Sequence, residues 1–518
     1  MAVEKNPNEE KSKDNIINLD LEKEKRTDNV NFEIDPETGE LEIEFASEES
    51  MQEEEESKED FYENLADMME EDDLLDIANT VLDKYDADKN SRSEWESMFE
   101  RGFDLLGLKL EDTTEPFEGA ATAVHPLLIE SAVKFQSKAS GELFPSKGPV
   151  KVQILGNVTE SRQRQANRVQ NFMNYQVSEQ MPEYFDETER MLFHLPLLGS
   201  AVKKIYYDDS LNRPVSEFVP IDQFYVSYYA TDLRRADRYT HILYRSPIEL
   251  ARQINAGMYR DIDLPDPELP KQSAMAEKMD TVLGLTPSTD SDPQYTLLEQ
   301  HCYLEIEDYD TACPYIVTIE EQSQKVLSIR RNWNENDRTK QKKMFFTHYR
   351  FVPGFGFYGL GLIHFLGNLT MSATAAMRSL IDAGQFANLQ GGFKAKGVKV
   401  VGDNDPIAPG EFKEVEATGM DLNKSIVMFP YKEPSSTLYN MMQYVAGAGQ
   451  KFADTTEQII SEGSNYGPVG TTMALLEASS KFFSAIHKRL HKAQREEFKI
   501  LARIDSESLP QRYPYDVP

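Results

Sequence analysis

The spacing of apolar residues divides the chain into stretches of different period. From Leu74 to Leu106 they recur at three- and four-residue steps (Leu74, Ile77, Ala78, Val81, Leu82, Tyr85, then Trp95, Met98, Phe99, Phe103). That spacing predicts two helices broken near Asp86–Ser91. A turn at Glu115–Gly119 precedes a predicted helix from Pro126 to Phe144, which Pro145 and Gly148 end. Val150–Leu155 reads as a strand and 160–193 as one long helix. From Ala201 to Tyr244 the texture is β, with Val202, Ile205, Phe218, Val219, Phe224 and Val226 between turns. Residues 260–294 hold five Pro and many Asp, which predicts a loop or an insertion. Tyr295–Ile306, Tyr315–Glu320, Lys325–Arg330 and Met344–Tyr349 add further strands.

The aromatic and glycine run Phe351–Gly359 then opens a helix over 362–389, stopped by Gly391-Gly392. Residues 393–432 read as short strands and turns. A second helix over 436–461, a glycine-containing loop and a third helix over 472–504 follow. Three helices this long, with so little local material between them, predict that identical neighbours supply the missing packing. The fold class expected is α+β.

Charge sharpens the division. The chain of 518 residues has a net charge of −34, and residues 1–90 hold 32 acidic and 9 basic side chains, a net of −23. Few apolar residues and runs such as Glu53–Glu56 predict that 1–75 is disordered, apart from a transient hairpin over Asn31–Phe45. The remaining body is mildly acidic, which argues against ordinary nucleic-acid binding through many phosphate contacts. It does not argue against a channel that duplex must traverse without sticking. Two cysteines, Cys302 and Cys313, exclude a disulfide framework. The longest mainly apolar run, Met191–Val202, is shorter than the ~20 residues that span a bilayer. A soluble chain without a secretory leader is expected.

Tests for chemistry return little. Asp86-Ala87-Asp88-Lys89-Asn90 begins like a calcium loop, but Ser91 stands where Gly is needed and Ser97 where Glu is needed. Gly467-Pro468-Val469-Gly470-Thr471-Thr472 lacks the lysine of a phosphate-binding loop. His487 and His491 share a helix face, but the surrounding Lys488, Arg489, Lys492 and Arg495 oppose a cation. His301, Cys302 and Cys313 have no second ligand pair at zinc spacing. No catalytic residue, cofactor site or metal site is expected. Basic residues cluster at Lys481, Lys488, Lys492 and Arg495, at Arg162, Arg164 and Arg168, and around Trp333 at Arg330, Arg331, Arg338, Lys340, Lys342 and Lys343. Each cluster reads as a solvated or inter-subunit face or as a transient DNA contact.

Several strings, taken in order, resemble the portal proteins of tailed bacteriophages, the head-to-tail connectors, of podovirus-like type. They are Pro116-Phe117-Glu118-Gly119-Ala120, Val124-His125-Pro126-Leu127-Leu128-Ile129-Glu130, Glu142-Leu143-Phe144-Pro145 and Gly467-Pro468-Val469-Gly470-Thr471-Thr472-Met473-Ala474-Leu475-Leu476-Glu477. The resemblance runs on through Phe483-Ser484-Ala485-Ile486-His487 and covers about 95–510. The acidic segment over 1–75 departs from the larger members of that family; the resemblance implies an α/β wing over 76–358, stem helices over 359–390 and 435–462 and a β-containing clip over 391–434. A tunnel loop over 463–471, with Gly463, Ser464, Asn465, Tyr466, Gly467, Pro468, Val469 and Gly470, and a long wing/crown helix with the C-terminal segment over 472–518 complete it.

Such a protein is a ring homo-oligomer, a dodecamer at one capsid vertex. It passes double-stranded DNA without sequence preference during packaging and ejection, and docks a terminase motor and a tail adaptor. Major capsid and scaffolding proteins are further partners, with assembly in the host cytoplasm, residence in the virion, no membrane and no enzymatic role. The same features leave open another capsid-associated structural protein, such as a head-completion adaptor. Little chain remains after the long helix for an extended crown.

Overall fold

The computed structural model describes residues 61–109, 120–154, 156–209, 211–285, 292–306, 309, 311–388, 433–453 and 469–509. It also gives the backbone alone of six short strands at 30–34, 41–45, 392–394, 398–400, 415–417 and 426–428; for 450–453 and 469–484 only the backbone is described. The chain is a mixed helix and sheet fold.

Two strands, β1 (Val30–Ile34) and β2 (Leu41–Phe45), pair antiparallel, as the alternation around Asn31–Phe45 predicts. Helices α1 (Glu71–Ser91) and α2 (Ser93–Phe103) follow, their break falling at Arg92. Arg92 is fully buried, and its guanidinium donates to the carbonyls of Ile221 (2.8 Å) and Phe224 (2.7 Å) and to the Tyr358 hydroxyl (3.1 Å). It lies 3.7 Å from the Tyr225 ring centroid and pairs with Glu96 at 2.6 Å. A cation here is tolerated because its donors meet fixed acceptors. Asp88, the second carboxylate of the calcium-like string, pairs with Arg238 at 2.8 Å. Its place is a helix face, with no metal geometry.

Helix α3 (Leu127–Leu143) packs on α5 (Glu183–Leu198). The single helix expected over 160–193 is two. Helix α4 (Glu160–Tyr175) passes into a five-residue π turn, Gln176–Gln180, and α5 restarts after Pro182, whose ring cannot continue the hydrogen-bond ladder. The described residues of the strand expected over Val150–Leu155, 150–154, are not a strand. The Asn174 side chain takes both backbone groups of Val150, accepting from its N–H at 2.9 Å and donating to its carbonyl at 3.1 Å, so the segment is pinned to α4.

A three-stranded antiparallel sheet has the order β10-β3-β4, from β3 (Ser200–Asp208), β4 (Arg213–Val219) and β10 (Phe346–Arg350). A five-stranded antiparallel sheet runs β5 (Phe224–Tyr225), β6 (Arg238–Arg245), β7 (Tyr295–Leu304), β8 (Cys313–Glu320), β9 (Val326–Arg331). Between β6 and β7 stand α6 (Pro247–Asn255) and α7 (Ala274–Leu283). The second corrects the loop expected over 260–294. Met275 and Val282 are buried, the Ser273 hydroxyl accepts from the Ala276 N–H at the start, and Gly284 closes the end at φ +77°.

The expectation of a coreless first 75 residues fails from Phe61 onward. Ala66 and Leu74 are fully buried with Ala78 and Val81 against Tyr315, Val317, Ile329 and Trp333. Asn64 finishes the edge of β9: its side chain donates to the Leu327 carbonyl (3.1 Å) and accepts from the Ile329 N–H (2.9 Å). An edge strand so occupied is closed to foreign strands.

The aromatic-glycine run after β10 is a buckle. A Cβ on Gly359 would lie 2.2 Å from the Gly199 carbonyl oxygen, and one on Gly361 would lie 2.2 Å from that of Leu197. Gly199 itself has φ +85°. Only glycines allow the two chains this approach. Helix α8 (Leu362–Asn388) leaves the buckle and pairs with α9 (Ser436–Ala453). Between them β11 (Gly392–Lys394) pairs with β14 (Ile426–Met428), and β12 (Val398–Val400) with β13 (Val415–Ala417). The final helix is α10 (Val469–Ser508).

Burial holds His241, His301 and His348 below the ordinary imidazole range and His194 down to about 4. The folded chain thus refuses protons that the unfolded imidazoles accept below about pH 6.5. Stability is complete above that pH and falls as pH drops through it, by roughly 1 kcal/mol per pH unit for each of the four. Asp505, pushed up to about 6 by burial, opposes this, as do Asp88 and Asp222, whose carboxyls burial also raises. Guanidinium midpoints at pH 7.5 and 5.5 should differ, with the lower midpoint at 5.5; equal midpoints would contradict the neutral, buried state of these rings. Truncation supplies a second check. Removing 1–60 should leave the midpoint at pH 7.5 unchanged, whereas removing 1–75 uncovers Trp333 and the β9 edge and should lower it clearly.

Candidate functional surface on the C-terminal helix

Along α10, Ile486, Leu490, Ala493, Glu497, Leu501 and Ile504 recur at three- and four-residue steps, and all are buried. Five are apolar and pack against α3, β3 and β10. The sixth is a carboxylate in the seam. Glu497 pairs with Lys203 of β3 at 2.9 Å, both side chains being at most 1% exposed. It accepts from the Ser216 hydroxyl at 2.6 Å and from the Tyr349 hydroxyl. Lys203 also donates to the Thr188 hydroxyl (3.1 Å) and sits 3.9 Å from the Tyr184 ring centroid. Both charges are therefore fully partnered inside the protein, the condition under which a buried pair is tolerated.

Three further bonds fix the helix axially. Arg489 donates to the Phe351 carbonyl (3.1 Å), Gln494 to that of Leu143 (3.4 Å) and Arg503 to that of Met344 (2.7 Å). His487 Nδ1 meets Glu142 at 2.6 Å and His491 reaches the same carboxylate at 3.8 Å. The two histidines therefore border α3, and among the described residues no group of three metal-type side chains exists.

This clamp turns one side of α10 outward. Lys488, Lys492 and Arg495, spaced i, i+4, i+7, are exposed on that side, and none has an acidic side chain within 4.0 Å among the described residues. They span about 10 Å of helix. The neighbouring carboxylate, Glu496, is already engaged by Arg234 and by Lys499 (3.0 Å). Lys481 lies on the same helix, in the part whose backbone alone is described. The loop expected at 463–471 lies outside the described residues for Gly463, Ser464, Asn465, Tyr466, Gly467 and Pro468. Val469 and Gly470 are the first residues of α10, so the helix starts earlier than Thr472.

The other basic clusters behave differently. Around Trp333, Arg330 donates to the Tyr62 and Gly257 carbonyls, Arg331 to that of Phe61 and Lys342 to that of Ala236. Lys343 reaches the Tyr62 hydroxyl at 3.2 Å and Glu507 at 3.5 Å. That cluster is an internal clamp for the N-terminal turn. Arg164 is bridged to Glu160 at 2.5 Å on the exposed α4.

A second surface escapes the sequence reading. The hairpin of α8 and α9 exposes Met371 (56%), Ile381 (39%), Tyr439 (51%), Met441 (56%) and Tyr444 (78%). Its inner side is held by a strap: Thr374 accepts from the His125 N–H (3.1 Å), Arg378 donates to the Thr122 and Ala123 carbonyls, and Asp382 accepts from the Ala121 N–H (2.8 Å). These three side chains, one turn apart, seat the Ala120–His125 string along α8. Residue type marks these positions as apolar but not that they stay exposed.

No helix among the described residues is long and apolar enough to cross a membrane. Compared with protein-family models and with curated proteins, the chain matches none.

Removing one partner of the seam pair should be costly, because it strands a buried charge. Lys203→Ala or Glu497→Ala alone is expected to lose ~3–5 kcal/mol, and Lys203→Met with Glu497→Leu together should recover most of it. Denaturant unfolding of the single and double variants measures this; additive losses would show that the two groups do not depend on each other.

Proposed function

We propose that this chain is a portal subunit, forming a dodecameric ring at one capsid vertex through which duplex DNA is packaged and ejected. The observation that carries the reading is the set of large apolar side chains that the α8–α9 hairpin leaves exposed. Met371, Ile381, Tyr439, Met441 and Tyr444 are large apolar side chains left exposed along two helices that pack on each other. Exposed apolar surface on this scale marks an interaction site. Where the partner is an identical copy meeting a different patch, repetition generates a ring if the rotation closes.

The strands between the two helices, β11 to β14, would then sit at one end of the ring as its clip. Lys488, Lys492 and Arg495 are the cations available for brief phosphate contact in a body that is otherwise mildly acidic. A few such contacts let duplex slide, whereas many would hold it. Terminase and the tail adaptor would dock on the ring from outside, and ATP hydrolysis would belong to the motor.

Mass photometry and negative-stain imaging of the purified chain test the proposal. Rings near twelve subunits with a central opening are expected. Tyr444→Asp combined with Met441→Asp should leave a folded chain by circular dichroism and shift the mass to that of the monomer. A wild-type chain that stays monomeric at every concentration would end the portal reading.

A further inference from the structure

Two helices of the body carry a line of charge on the side turned away from the core. On α1, Leu74, Ala78, Val81 and Tyr85 are buried. The opposite side carries Asp72, Asp76, Asn79, Asp83 and Asp86 at steps of four, three, four and three residues, all of them exposed. None of these four carboxylates has a basic side chain within 4.0 Å among the described residues. On α10 the line opposite Ile486, Leu490, Ala493 and Glu497 carries Lys488, Lys492, Arg495 and Lys499, at steps of four, three and four. Of these four, Lys499 alone is bridged, to Glu496 at 3.0 Å, and so exposed a pair contributes little.

The two lines match in spacing and oppose in sign. Asp72 to Asp83 and Lys488 to Lys499 each rise about 17 Å along their helix, and the steps of four, three and four read the same in either direction. The lines do not meet within one chain. Helix α1 is fixed by Ala78 and Val81 against β8 and β9 and by Tyr85 on Tyr225, whereas α10 is fixed to β3 by the Lys203–Glu497 pair. Among the described residues no ion pair joins the two helices.

We infer that the acidic line of α1 in one copy docks on the cationic line of α10 in the next copy. One patch meets a different one, so the contact is heterologous and can be passed from copy to copy around a ring. Exposed pairs are individually weak, and charge complementarity chiefly speeds encounter and fixes register. The exposed apolar side chains of α8 and α9 then supply the affinity. The inference rests on the self-association in the portal reading, and on neither its capsid nor its DNA. Inside a ring, the neighbour's carboxylates and a passing phosphate compete for the same cations, which keeps each phosphate contact brief.

Zero-length carbodiimide coupling of ¹⁴N and ¹⁵N full-length chains, mixed before assembly and read by peptide mass spectrometry, tests the contact. Lys488, Lys492 or Lys499 should couple to Asp72, Asp76, Asp83 or Asp86 of the other isotope. The yield should fall about fivefold between about 50 mM and about 1 M salt, where charge attraction is screened. Coupling that is absent, confined to one chain or directed to carboxylates outside α1 would overturn the inference.

Charge reversal supplies the second measurement. K488E/K492E/R495E and D76K/D83K/D86K change exposed positions only and should leave the unfolding midpoint in place; the first turn of α1 is spared because its carboxylates favour the helix dipole. Each variant alone should need about tenfold more protein for half-assembly in about 50 mM salt, by mass photometry. An equimolar mixture of the two should assemble within about twofold of the parent, since each reversed α10 can then face a reversed α1. Variants that assemble like the parent, or a mixture that stays impaired, would also overturn it. Closed rings without these links defeat the inference alone and leave the stripe to DNA; linked chains that never close into a ring defeat the portal reading alone.

Discussion

The placement of α10 depends on a single buried ion pair. Lys203 and Glu497 meet out of reach of water, and hydroxyls from three other elements complete the pair: Thr188 of α5 on Lys203, Ser216 of β4 and Tyr349 of β10 on Glu497. Leaving either charge unpartnered in that position costs several kcal/mol, so other registers of the helix are disfavoured strongly. A rotation by one residue, 100°, or a slide of one turn, about 5.4 Å, would break the pair. The same rotation would carry Lys492 or Arg495 toward the apolar seam. The exposure of the cationic stripe is thus a consequence of a contact on the opposite side of the helix.

The long helices were legible because periodicity over 20 or more residues survives local exceptions. The expected 362–389 and observed Leu362–Asn388 nearly coincide. Shorter features were set by single contacts between residues distant in sequence. Asn174 captures Val150 and removes a strand that the residue types favour, and Pro182 divides a helix whose apolar spacing is continuous. Met275, Met279 and Val282 carry a helical period through a proline-rich stretch, and that signal was masked by composition. The turn at Phe61–Met69 was lost in the acidity around it, since Ala66 and Leu74 are buried by strands more than 200 residues later.

The candidate surface was half legible. Lys488, Lys492 and Arg495 announce themselves by spacing, and the sequence left them balanced between a solvated face, a subunit contact and DNA. The basic residues around Trp333 have the same look in sequence and a different fate, because carbonyls of Phe61, Tyr62, Ala236 and Gly257 receive their protons. Which cations are consumed internally depends on which carbonyls lie within reach in three dimensions, and no local pattern encodes that. Glu497 did carry a readable sign, a carboxylate at a seam position among Ile486, Leu490, Ala493, Leu501 and Ile504. A charge in such a position demands an opposite one, although it does not say that Lys203 supplies it.

These facts together assign different work to the two ends of the chain's charge distribution. Most of the body's basic side chains with described partners are spent on carbonyls and carboxylates of the same chain, so the free cations of α10 form a small and isolated positive feature. Acidic excess is concentrated before Phe61, whereas Arg330, Arg331 and Lys343 hold Phe61 and Tyr62 themselves. At physiological salt, where screening acts over roughly 8 Å, a positive stripe attracts only what is delivered close to it. Among the described residues of a mildly acidic body, Lys488, Lys492 and Arg495 are therefore a cationic surface that no carboxylate of the same chain neutralises.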